Sequence, residues 1–107
     1  MSFEPSNHAH LHTMRRALER IARQMDGVDE ARFLTDLYVA DAVALQLSVV
    51  GEAARRLTPA FKAACPTIPW RRIIALRNLI AHEYERLEPA RIWVVSSEYA
   101  PDLARQL

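Results

Sequence analysis

Arg77 and His82 stand five residues apart in a stretch, Trp70 to Tyr84, that is otherwise largely apolar, and together they have the chemistry to act on a phosphodiester. A guanidinium keeps its charge and can hold two phosphate oxygens at once, while an imidazole titrates near neutrality and can take or give a proton. The stripe Trp70, Ile73, Ile74, Arg77, Ile80, Ala81, Tyr84 follows helical spacing, and Arg77 occupies its middle, where a hydrophobe belongs. A guanidinium on such a stripe needs an answering carboxylate or phosphate, because an uncompensated buried charge is costly. Arg77 therefore has either a structural ion pair or a functional anion, and the spacing alone does not choose.

On an ideal helix His82 lies about 140° around from Arg77, whereas Asn78, four residues before His82, shares its face. In a second helical segment Asp41, Leu45, Ser48 and Glu52 form a polar strip along one face. Glu52 is the member best placed to face Arg77, and an ordinary buried hydrogen bond to backbone or to Arg55 or Arg56 would satisfy it as well. His8, His10 and His12 alternate near the amino terminus, but no cysteine or carboxylate pair beside them completes a metal site. They read as incidental groups on a frayed terminus, and no metal or cofactor is expected.

The elements that carry these residues all read as helices. Leu11, Met14, Leu18, Ile21 and Met25 recur at steps of three and four, so a first helix ends near Asp26-Gly27. Arg15, Arg16, Glu19, Arg20 and Arg23 fall on its other faces as a solvated surface. Asp29 caps a second helix that runs unbroken to Val50, apolar on nearly every side and hence central, with Gly51 permitting close packing. Thr58-Pro59 restarts a short turn, and a helix beginning near Thr67, between Pro66 and Pro69, carries Arg77 and His82. Pro89 opens another helix, and Pro101 begins or kinks a last one. No strand alternation and no repeat appears, so the expected fold is all-α, an antiparallel bundle of four to five helices.

A chain of 107 residues, half apolar with a quarter charged, suits a single domain spanning 1–107. A formal net charge of +1 excludes a globally basic nucleic-acid binder, so any such contact must be local. Thirteen of the fourteen cationic residues are arginine and are spread along the chain, which fits a coding bias better than a binding patch. The single Cys65 forms no internal disulfide, no signal peptide is evident, and Tyr38 to Val50 is interrupted by Asp41, Gln46 and Ser48. A cytoplasmic protein without a membrane segment is expected.

The full string Arg77-Asn78-Leu79-Ile80-Ala81-His82-Glu83-Tyr84 resembles the motif of the HepT toxins, members of the HEPN superfamily of helical domains. The likeness extends to Gly51-Glu52-Ala53-Ala54, to Ile68-Pro69-Trp70-Arg71 and to Ile92-Trp93, and so covers nearly the whole chain. One departure is Ala75-Leu76, where a glycine followed by a bulky residue is common; it touches packing and leaves the polar motif intact. The resemblance implies a metal-independent ribonuclease with Arg77 and His82 catalytic, Asn78 orienting or contacting phosphate, and Tyr84 modified by AMP groups. It also implies a nucleotidyltransferase antitoxin of the MntA type. The chemistry agrees, since RNA carries its own nucleophile in the 2′-hydroxyl. One chain supplies one His82 while cleavage benefits from both base and acid, so a homodimer with its motif edges paired is expected to act on tRNA or mRNA. The alternative is a non-catalytic HEPN module that binds nucleotide or RNA for a partner nucleotidyltransferase.

Overall fold

Residues 4–107 are described in a computed structural model, and every regular element among them is helical. Pro5 opens α1 (Pro5–Met25), where its missing N–H would have no helical partner in any case, so the helix starts six residues ahead of Leu11. Asn7 thereby joins the buried stripe. Its amide donates to Thr58 Oγ1 at 3.1 Å and its carbonyl accepts from Thr58 N at 3.0 Å, which ties the first turn of α1 to the far end of the bundle. At the other end Gly27 takes φ +69, a conformation that side chains with a Cβ rarely adopt.

The sequence predicts one helix from Asp29 to Val50, whereas the chain folds as two. Asp29 caps a short α2 (Glu30–Thr35) through Arg32 N. Asp36 then leaves the helical region at φ −107, ψ 94, and its carboxylate accepts from Tyr38 N at 3.1 Å and Val39 N at 3.4 Å to start α3 (Leu37–Arg56). A short acidic side chain that competes for its own backbone accounts for the break. Thr58 caps α4 (Pro59–Ala64). The next helix, α5 (Trp70–Glu83), starts three residues later than the expected Thr67, because a residue before proline avoids the helical region and Ile68 precedes Pro69. The Trp70 indole N–H donates to the Lys62 and Cys65 carbonyls, both at 3.1 Å, and fixes that start.

After a 3₁₀ turn (Tyr84–Arg86) comes α6 (Pro89–Val94), which passes through a π-helical stretch (Val95–Tyr99) into α7 (Ala100–Gln106) as one continuous rod. Pro101 has no N–H and its ring crowds the preceding turn, so the ladder widens there and Ala100 N–H reaches back to the Val95 carbonyl. The Ser96 and Ser97 hydroxyls bond the Ile92 and Trp93 carbonyls at 2.8 and 2.6 Å.

The rod, α1, α3 and α5 are the principal members of an all-α bundle, with α3 packed along both α1 and α5. Met14, Ile21, Phe33, Val43 and Ile92 are fully enclosed, each stabilising the fold by about 1.5–3 kcal/mol through burial, and Phe33 meets Trp93 at 5.5 Å between ring centroids. By length and composition α3 could cross a bilayer, yet half of that apolar stretch is buried inside the bundle, as a central helix requires. Its solvent side is also apolar in part: Leu37, Tyr38 and Leu45 are 66%, 90% and 62% exposed.

Candidate active site at the α3–α5 crossing

The helices α3 and α5 run antiparallel, with Gly51 opposite Arg77 near one end and Asp41 opposite Tyr84 near the other. A Cβ built on Gly51 would overlap the Arg77 Cβ and stand 3.0 Å from both the Arg77 Cγ and the Ile73 carbonyl oxygen, so the missing side chain sets how closely the helices approach. This crossing places the Arg77 guanidinium beside Glu52, one residue along α3, with Nε 3.4 Å from Oε2.

Glu52 is shared among three guanidiniums. Arg55 donates to it in a fork at 3.1 and 2.6 Å and Arg56 at 3.0 Å, both from the following turn of α3. The Arg55 and Arg56 hydrogen bonds, aided by the charges of Arg55 and Arg77, outweigh desolvation and hold the Glu52 carboxyl down at about 2. In return Glu52 raises the Arg55 guanidinium above its ordinary value. Three cations against one carboxylate leave an excess of two positive charges on a chain whose total is +1.

Arg77 is positioned without being used up. Its NH1 donates to Asn78 Oδ1 at 3.2 Å. Its Nε is shielded from solvent and within ion-pair distance of Glu52, but is not aligned on any acceptor. With one of five guanidinium donors held by Asn78, the group retains capacity for phosphate oxygens. It lines an open groove of about 350 Å³, to which α1 contributes His10 and Thr13 and α3 contributes Ser48, Glu52 and Arg56. A larger groove of about 570 Å³ lies between α5 and the C-terminal rod, lined by Ile73, Leu76, Val95 and Tyr99 with Arg72 and Arg91. Among the described residues no carboxylate or imidazole lines it.

His82 sits exposed in the last turn of α5 and does not line the Arg77 groove. One chain thus brings Arg77, Asn78 and Glu52 together and leaves His82 apart. Tyr84 lies just past α5, half-buried, with its hydroxyl donating to the Asp41 carboxylate. Burial foremost, and then the Asp41 hydrogen bond and charge, push the phenol up to about 12. Asp41 and Glu52 are eleven residues apart on α3, about 16 Å at the helical rise, so this hydroxyl is farther from Arg77 than a shared helix face implies. Among the described residues no three His, Cys, Asp or Glu side chains cluster as metal ligands.

Two residues of this site gave little sign in sequence. His10 follows Asn7 and precedes Met14 at helical spacing, so extending the α1 stripe towards the amino terminus turns it to α3. Asp41 stood in the polar strip without a partner, because only the fold brings Tyr84 to it.

Residues 14–107 match the model of a family described as ribonuclease HepT-like. The chain belongs to the HepT-like ribonuclease family. It is 30% identical over 93 residues to the "Probable ribonuclease HepT" of Thermococcus cleftensis, covering 80% of this chain and 84% of that protein. It is 26% identical over 80 residues to the "Putative RNase MJ1380" of Methanocaldococcus jannaschii, covering 75% and 73%. No solved structure matches it. As a HepT-like ribonuclease it is an enzyme with RNA as its substrate class. The matched region takes in both helices of the α3–α5 crossing and leaves the first turns of α1, with His10, outside.

Proposed function

We propose that this HepT-like ribonuclease is the toxin of a toxin–antitoxin pair, a metal-independent RNA endonuclease whose catalytic groups are Arg77 and His82. The observation that carries the reading is the Arg77 guanidinium, anchored between Asn78 and Glu52 in a cationic groove with only one of its terminal N–H groups bonded, to Asn78. A scissile phosphate takes up the remaining terminal donors. In the reaction His82 takes the proton of the 2′-hydroxyl, the 2′-oxygen forms a bond to phosphorus, and Arg77 neutralises the growing charge on the phosphorane oxygens. The bond to the 5′-oxygen then breaks, that oxygen takes a proton from solvent water, and the His82 imidazolium gives its proton back to solvent, leaving a 2′,3′-cyclic phosphate.

Because His82 stands outside the groove of its own Arg77, a second copy of the chain is the natural source of the missing group. The apolar strip of Leu37, Tyr38 and Leu45 flanks Asp41 on α3, beside the end of α5 that bears His82 and Tyr84, and offers a surface for that pairing. The homodimer acts in the cytoplasm on tRNA or mRNA. A nucleotidyltransferase antitoxin of the MntA type silences it by joining AMP to the Tyr84 hydroxyl, which adds bulk and phosphate charge at the motif end of α5.

The free protein incubated with tRNA or mRNA in EDTA is expected to give fragments with 2′,3′-cyclic phosphate ends. Arg77→Ala and His82→Ala are each expected to slow cleavage by about 10²–10³-fold, the scale on which a positioned donor or proton-transfer group acts. Intact RNA, or cleavage indifferent to both substitutions, would sink the reading.

A further inference from the structure

We infer that His10, together with Arg56 and Arg77, forms a phosphate subsite of the RNA strand inside one chain, with His10 a binding residue of the substrate backbone. This rests on the reading of Arg77 as the residue that faces the scissile phosphate. Three helices send polar side chains into one groove there: His10 and Thr13 from α1, Ser48, Glu52 and Arg56 from α3, and Arg77 from α5. Among the described residues the only carboxylate lining the groove, Glu52, is already engaged by Arg55, Arg56 and Arg77, so the groove as a whole attracts anions. Phosphate groups along a nucleic-acid strand are the anions that a ribonuclease meets there, and a hydroxyl such as that of Ser48 commonly serves as their hydrogen-bond donor, whereas the Thr13 hydroxyl is donated to the Ala9 carbonyl.

His10 is held in place rather than free to wander. One helical turn before it, Asn7 is buried and bonds Thr58 through both amide atoms, which pins this part of α1 against the end of α3. His10 itself is half-buried, whereas its neighbours His8 and His12 are exposed. An imidazole donates an N–H to a phosphate oxygen when neutral and adds a positive charge when protonated, so either form suits this place. Of the three residues, Arg56 and Arg77 lie within the family match and His10 lies just before it.

The test uses the full chain and a short 2′-O-methyl oligoribonucleotide, which has no free 2′-hydroxyl and cannot be cleaved by in-line attack, with binding read by fluorescence anisotropy across a salt series. His10→Ala is expected to weaken binding about tenfold and to flatten the salt dependence, as loss of one phosphate contact does. His10→Lys, which supplies a cation with N–H donors, is expected to recover most of that affinity, and Arg56→Ala to act like His10→Ala. His12→Ala, on the exposed face, is expected to bind as the unaltered protein does, and circular dichroism should show the same helicity for all four variants.

Affinity and salt slope unchanged in His10→Ala, or His10→Lys as weak as His10→Ala, overturns the subsite. The nuclease reading fails separately: a probe held through His10 by a protein that never cleaves natural RNA keeps the subsite and removes the enzyme. Cleavage that needs Arg77 and His82 but ignores His10 in both binding and rate does the reverse.

Discussion

Gly51 and Arg77 are in contact at the α3–α5 crossing, and the missing side chain of the first lets the second reach Glu52. Two effects oppose each other in Gly51→Ala. Alanine gains about 1 kcal/mol of helix propensity, while forcing a methyl into packed space costs about 1–3 kcal/mol. Here the methyl meets the Ile73 carbonyl and the stem of Arg77 rather than the flexible tip of a side chain, so the steric cost should win. A lower melting temperature and reduced cleavage are expected together; a variant that melts higher and keeps its activity would show that the helices can part freely.

Glu52 ties the protein's stability to acid pH. Its carboxyl is held at about 2 against an ordinary 4.5, so its ion pairs stabilise the fold above the ordinary value and lose that contribution as pH falls towards 2. Glu52→Gln should therefore melt below the unaltered protein at pH 6, and the gap should close between pH 4.5 and pH 2. A gap that stays constant over that range would assign the loss to packing instead of charge.

The polar motif around Arg77 was legible in sequence because a cation interrupting an apolar helical stripe is conspicuous at any level of structure. The choice between a structural ion pair and a functional anion was not legible, and the fold shows why: Glu52 supplies the pair through Nε while the terminal N–H groups that Asn78 does not bond stay open to an anion. Helix ends were read correctly where proline or a capping side chain has a fixed local meaning, as at Thr58 and Pro89. The break at Asp36 was missed because the apolar period continues across it, and an aspartate inside a helix differs from an aspartate that caps one only in the backbone angles. His10 reads as surface from a stripe that starts at Leu11, because the buried face of α1 begins one turn earlier, at Asn7.

Tyr84 offers a spectroscopic check on the far end of the same crossing. Its phenol is pushed up to about 12, first by burial and then by Asp41, so an absorbance titration should show one of the three tyrosines ionising late. A group raised in the folded state favours folding below its ordinary value of 10.0, and that contribution fades as pH climbs from there to about 12. Tyr84→Phe should remove the late step. Asp41→Asn should bring it down only partway, because burial is the larger cause; a full return to the ordinary value would make Asp41 the dominant one.

A composite site across two chains can be tested by mixing two dead proteins. Arg77→Ala and His82→Ala each remove one member of the catalytic pair, and neither homodimer should cleave. In a mixed dimer the arginine of one chain and the histidine of the other survive, so a pair that acts across the two-fold axis is intact at one of its two positions. Random pairing makes half of the dimers mixed, and the mixture should recover about a quarter of the full rate. If Arg77 and His82 act within one chain, no intact pair exists in any dimer and mixing recovers nothing. Leu45→Glu supplies the complementary arm: Leu45 is 62% exposed, so a carboxylate there should leave the bundle folded while placing charge in the apolar strip. Light scattering should then report the monomer mass where the unaltered protein reports twice that, and cleavage should fall with the dimer. A monomer that cleaves at the full rate would return the whole reaction to a single chain.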